Sequence, residues 1–98
     1  MKPLRFHRAA RAEIRAAAEH YGAIQPGLGS QFYDTMEKLI REVRAQPATF
    51  RVFDPPARRH FGHQFPYAVV YLDLPDRVWI VAVMHFKQRP GYWADRLA

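Results

Sequence analysis

Ninety-eight residues, 49% apolar and 24% charged, suffice for one folded domain with a modest core, are too few for two, and lie outside the composition of disordered chains. The absence of cysteine excludes a disulfide framework, a cysteine-based zinc site and a thiol nucleophile. Fifteen Lys and Arg against nine Asp and Glu leave a net charge of +6, carried mostly by arginine, and such a field favours an anionic partner: nucleic acid, a ribosome or an acidic protein segment.

Polar and charged residues surround Met1-Lys2-Pro3-Leu4-Arg5, so no signal-peptide core can be drawn there, and no run approaches the roughly 18 apolar residues of a membrane span. The expected location is the cytoplasm, with no membrane partner. Residues 1–98 are read as a single domain.

Leu4-Arg5-Phe6 alternates apolar and charged residues, which predicts a short strand able to join a sheet edge. From Arg8 the period changes: Ala10, Ile14, Ala17, Tyr21 and Ile24 recur at three- and four-residue steps, with Arg8, Arg11, Arg15 and Glu19 on the other side. This predicts an amphipathic helix whose alanine-rich face lets a neighbouring helix come close. Gln25-Pro26-Gly27 stops it, because proline disfavours α conformation in the residue before it and glycine takes up positive φ. A second helix starts near Leu28 to Ser30 and turns Leu28, Phe32, Met36 or Thr35, Leu39 and Val43 inward, with Tyr33 and Ile40 broadening the stripe, until Pro47 ends it. Glu37 with Arg41, and Lys38 with Glu42, form i,i+4 pairs expected on a solvated face.

The connector from Pro47 to Pro56 is proline-rich and carries the apolar anchors Phe50, Val52 and Phe53, as a loop capping the core would. Arg58-Arg59-His60-Phe61 predicts a short polar strand. Tyr67 to Leu72 and Val78 to Phe86 are rich in β-branched and aromatic residues, and Leu74-Pro75-Asp76-Arg77 supplies a turn between them, which together predict an antiparallel hairpin. Strict alternation in its second strand sends Val78, Ile80, Ala82, Met84 and Phe86 to one face and Trp79, Val81, Val83 and His85 to the other. Both faces are apolar, and two helices cover only one face of so small a sheet. The second face is therefore covered either by the C-terminal tail or by a partner.

No Walker, Rossmann or GxSxG pattern is present, and His60 and His63 lack further ligands at a spacing that would close a metal site, so neither cofactor nor metal is expected. What remains is a basic and aromatic cluster: Arg58, Arg59, His60 and His63 before the hairpin, and His85, Lys87, Arg89, Tyr92, Trp93 and Arg96 after it. Arginines can bind phosphates in a fork, aromatics can stack bases, and His or Tyr can move protons in metal-free phosphodiester cleavage. Equally, Tyr92 and Trp93 can dock the tail on the core while the cations stay solvated.

The order of elements, together with Phe65-Pro66-Tyr67-Ala68-Val69-Val70-Tyr71, Val81-Ala82-Val83-Met84-His85 and Arg89-Pro90-Gly91-Tyr92-Trp93 followed by Arg96, resembles the RelE/ParE superfamily of bacterial toxins, in particular its ParE-like branch. The resemblance implies an α+β fold: an N-terminal strand, an α-helical hairpin packed on one face of a small antiparallel sheet, and a short helical or irregular C-terminal tail. It further implies a type II toxin-antitoxin system, serving plasmid or genome stabilisation, in which a cognate acidic antitoxin wraps the toxin. On this chain the antitoxin-facing residues would be Trp79, Val81, Val83 and His85.

Superfamily members differ in mechanism. ParE-like ones poison DNA gyrase by binding, a non-enzymatic action for which Arg89, Tyr92, Trp93 and Arg96 are the expected contacts here. RelE-like ones are metal-free, ribosome-dependent mRNA endonucleases, and that alternative would use Arg59, His85, Lys87, Arg89 and Tyr92. Ribonucleolytic relatives tend to carry an arginine where this chain has Ala68, which favours gyrase. A third alternative is an inactive relative that serves as an antitoxin-binding module.

Overall fold

The computed structural model describes residues 1–97. In chain order it contains β1 (Leu4–Phe6), α1 (Arg8–Ile24), α2 (Leu28–Ala45), β2 (Val52–Asp54), β3 (Ala57–Phe61), β4 (Tyr67–Asp73) and β5 (Val78–His85), followed by a 3-10 turn at Ala94–Leu97. Among the described residues no helix is long and apolar enough to cross a membrane.

His7 is the cap that starts α1. Its backbone is extended, and its Nδ1 accepts a hydrogen bond from the Ala9 N–H at 3.0 Å, which satisfies a donor the helix leaves unpaired. The helix ends at Gln25, ahead of Pro26, and Gly27 at φ 88° sets the chain into α2. Ala10 and Ala17 of α1 and Phe32, Met36, Leu39, Ile40 and Val43 of α2 are buried, as the stripes predict, and Ala18, outside the expected stripe, is buried as well. The stripes are narrower than expected, however. Ile24 and Tyr33 are 62% and 47% exposed: Ile24 is the last residue of its helix, and Tyr33 lines an open groove with Phe6, Arg11 and Ile14.

Five strands form one sheet in the order β1-β5-β4-β3-β2. β1 runs parallel to β5, with Leu4 opposite Val78 and Phe6 opposite Ile80, while the other pairings are antiparallel; the sheet is therefore mixed rather than wholly antiparallel. Part of the proline-rich connector is not a loop but the edge strand β2, with Val52 opposite Arg58. The β4–β5 turn closes through the Leu74 N–H and the Arg77 carbonyl at 2.9 Å.

A bulge corrects the expected alternation of β5. Val70 pairs with Ala82 and Tyr71 with Ile80, so Val81 is an extra residue with no partner of its own. The single insertion exchanges the two faces beyond it. Val78, Ile80 and Val83 join the core beneath the helices, whereas Val81, Ala82 and Met84 join a second cluster on the outer face. Val81 and Val83, expected on one side, face opposite ways.

The helix-side core gathers Phe32, Met36, Val43, Val69, Tyr71, Val78 and Ile80, each at most 1% exposed. Each such side chain contributes about 1.5–3 kcal/mol by leaving water. On the outer face Ala57, Ala68, Val70, Leu72, Val81, Ala82 and Met84 lie with Trp93, which is 1% exposed. The chain's own tail thus covers the middle of the second face, while Phe61 at its end stays exposed.

Candidate functional site

The tail is held by one carboxylate. Beyond Ile80, which accepts from the His7 N–H, β1 has turned away into α1 and β5 loses its neighbour on that side. Side chains then take over the strand's free edge: Glu13 Oε1 accepts from the Val83 N–H at 3.0 Å, Arg96 donates to the Val81 carbonyl at 3.1 Å, and Gln88 accepts from the His85 N–H at 2.8 Å. Glu13 also accepts two parallel bonds from Arg96, at 3.0 and 2.9 Å, and one from the Tyr92 hydroxyl at 2.7 Å. Burial, together with the hydrogen bond to the Glu13 carboxylate, pushes the Tyr92 phenol well above its ordinary pKa. That same carboxylate raises Arg96 further.

Glu13 was legible in principle. It stands between Ala10 and Ala17 at steps of three and four, on the buried stripe of α1, where an acid must find partners.

Arg59 lies on the outer face, its guanidinium 4.7 Å from the Phe53 ring and 5.9 Å from the Phe61 ring. His85 lies with Val83 and Tyr67 on the helix side, its ring edge-on to Tyr67 at 5.0 Å and its Nδ1 accepting from the Lys87 N–H at 3.0 Å. There it lines a groove of about 300 Å³ with Glu13, Ala16, His20, Tyr67 and Gln88. Burial raises the Tyr67 phenol. Lys87 and Arg89 are exposed on the segment after β5. Trp79 is half-buried, its ring 6.2 Å from His7.

The residues singled out for phosphodiester chemistry therefore do not converge: Arg59 and His85 are on opposite sheet faces, and the Tyr92 hydroxyl is committed to Glu13. Among the residues expected to meet an antitoxin, Trp79 and His85 are reachable from solvent, while Val81 and Val83 are at most 1% exposed. Among those expected to meet a target, Arg89 is exposed, Tyr92 and Arg96 are tied to Glu13, and Trp93 is buried. The two spaced histidines also part: His60 meets Glu42 of α2 at 2.9 Å under the stacked Phe50 ring, whereas His63 packs edge-on to Phe61.

Residues 4–90 match the family described as the ParE toxin of the type II toxin-antitoxin system parDE. The chain belongs to the ParE toxin family. No curated protein matches it. Among solved structures, one from the chromosomal ParDE toxin-antitoxin system of P. aeruginosa superposes with a TM-score of 0.66 at 16% identity, over 87% of this chain and 96% of that one, a likeness of fold. In this ParE-family chain Ala68 sits on the outer face between Phe61 of β3 and Met84 of β5, and is 1% exposed.

Proposed function

We propose that this ParE-family chain inhibits growth by binding and poisoning DNA gyrase, and that a cognate acidic antitoxin neutralises it. The observation that favours binding over mRNA cleavage is the engagement of Tyr92. A general acid or base must reach the proton it moves, and this hydroxyl is spent on Glu13. Exposed Arg89 then remains a reachable target contact, while Tyr92, Trp93 and Arg96 act by fixing the segment that presents it. For the antitoxin, Trp79 and His85 are the reachable members of the expected set, and the net charge of +6 suits an acidic segment.

The test is inducible expression of the chain alone, following DNA breaks and mRNA integrity separately. Gyrase-linked breaks with intact mRNA are expected, lost in Arg89→Ala and relieved by co-expression of the acidic product of a neighbouring reading frame. Prompt ribosome-dependent mRNA cleavage without breaks would reject the reading, and unaffected growth in the presence of soluble protein would point instead to an antitoxin-binding module without toxicity.

A further inference from the structure

Phe61 and Phe86 are 43% and 50% exposed, yet they touch: their rings meet edge-on, 5.6 Å apart at 87°. Two large apolar side chains clustered in water are not explained by core packing. They lie at one end of the sheet because Phe61 closes β3 opposite Ala68, which in turn is opposite Met84, two residues before Phe86. Arg59 extends the same ledge along the outer face, its guanidinium stacked between Phe53 and Phe61 with no carboxylate partner among the described residues. His63 stands edge-on to Phe61 at 6.4 Å, and Lys87 and Arg89 follow Phe86 on exposed chain.

Charge narrows the choice of occupant. The stretch 55–72, which supplies Arg59, Phe61 and His63, and the stretch 77–94, which supplies Phe86, Lys87 and Arg89, contain no Asp or Glu. Within those stretches no acid opposes an incoming anion; the carboxylates near the ledge are Asp54, beside Phe53 on β2, and Glu42, which lines a groove with Phe61 and His63 and is bonded to His60. An acidic peptide answers the cations with its carboxylates but needs further, apolar side chains to cover the two rings. A nucleic-acid single strand answers both, since each base offers a π-face to stack and each phosphate an oxygen pair for a guanidinium fork. A duplex hides its base faces and could use only the charge.

We propose that Phe61, Phe86 and Arg59 form a ledge that binds single-stranded nucleic acid, the bases stacking on the two phenylalanines and the backbone lying along Arg59, Lys87 and Arg89. The ledge binds without cutting and goes beyond the gyrase reading, and either can fail alone.

Fluorescence anisotropy of the purified chain tests it, with 5′-labelled U12, dT12 and a 12-base-pair duplex titrated between 50 and 200 mM salt, and a polyglutamate peptide as competitor. The single strands should bind at least about tenfold more tightly than the duplex. Phe61→Ala with Phe86→Ala should weaken that binding about tenfold or more without changing its salt dependence, and Phe61→Tyr, which keeps the ring, should restore it. Arg59→Gln should lower the slope of log affinity against log salt by about 0.7. Melting temperatures should barely move in the phenylalanine variants, since both rings are already half in water. Preference between U12 and dT12 tells which strand the ledge takes. Equal affinity for duplex and single strand, or indifference to loss of both rings, overturns the proposal in favour of charge alone. Displacement by polyglutamate at matched charge, with no effect of the ring substitutions, overturns it in favour of an acidic protein partner.

Discussion

Glu13 is one side chain with four hydrogen-bonding demands placed on it: two from Arg96, one from Tyr92 and one from the Val83 N–H. Its side chain and that of Arg96 are 20% and 16% exposed, so each would be costly to leave unpaired, and the fork geometry holds both at once. Tyr92 contributes through the protonated phenol. Its pKa is raised in the fold, so its stabilisation is complete below the ordinary tyrosine value of about 10 and is lost as the pH climbs through the raised one. Tyr71, raised to about 12 by burial and donating to the Pro47 carbonyl at 2.6 Å, behaves alike. Replacing Tyr92 by Phe removes a charge-assisted bond at a half-exposed site, about 1–2 kcal/mol, or roughly 5–15 °C of melting temperature in a chain of this size. Thermal melts from pH 8 to 11.5 should show this deficit at pH 8 and a shallower alkaline decline than the parent, with the remainder owed to Tyr71 and Tyr67. Parallel curves would mean that the phenol does not act through Glu13.

At the scale of elements, the helical hairpin depends on one glycine. A Cβ at Gly29 would lie 2.6 Å from the Ala18 carbonyl oxygen, which belongs to the backbone of α1 and has little freedom to move. Gly22 has nothing within 4 Å of the corresponding position. Alanine raises helix propensity by about 0.8–1 kcal/mol at either site, but overpacking at Gly29 costs about 1–3 kcal/mol, at the upper end when backbone is struck. Gly22→Ala should therefore raise the melting temperature by a few degrees and Gly29→Ala lower it by roughly 5–15 °C. Similar shifts in both would show that the helices do not meet there.

This contact also illustrates what the chain discloses before it folds. The alanine-rich stripe announces a close helix approach, and Pro26-Gly27 the turn, since both act locally. The β5 bulge is silent, because Val81 is as good a strand residue as its neighbours and becomes an extra one only through its register with β4. β2 is hidden for a related reason: three residues among prolines pair only because β3 lies beside them. For the candidate site, the sequence shows which cations and aromatics are present, but not that Glu13 ties up Tyr92 and Arg96 or that Arg59 and His85 are separated by the sheet. Those are consequences of tertiary packing.

The molecule as a whole presents an under-neutralised cationic surface. Of the fifteen Lys and Arg, four have a carboxylate ion-pair partner among the described residues: Lys2 with Asp73, Arg41 with Glu37, Arg77 with Asp76 and Arg96 with Glu13. Arg5, Arg8, Arg11 and Arg15 are exposed in succession along β1 and α1, and the acid-free stretches 55–72 and 77–94 add their own cations on the sheet. Such a field extends beyond contact distance only as far as salt allows, about 10 Å at 0.1 M and 3 Å at 1 M. If an acidic antitoxin is the partner, this long-range attraction governs encounter, while the short-range contacts at Trp79 and His85 govern release. Stopped-flow mixing of toxin and antitoxin should therefore show an association rate that falls at least about tenfold between 50 and 500 mM salt, with a dissociation rate that changes far less. Replacing Arg8, Arg11 and Arg15 by Gln should flatten that salt dependence while leaving the helix-side core intact, because all three side chains are exposed. An association rate indifferent to salt would instead place the partner's recognition in apolar contacts alone, and the positive charge would then serve another ligand.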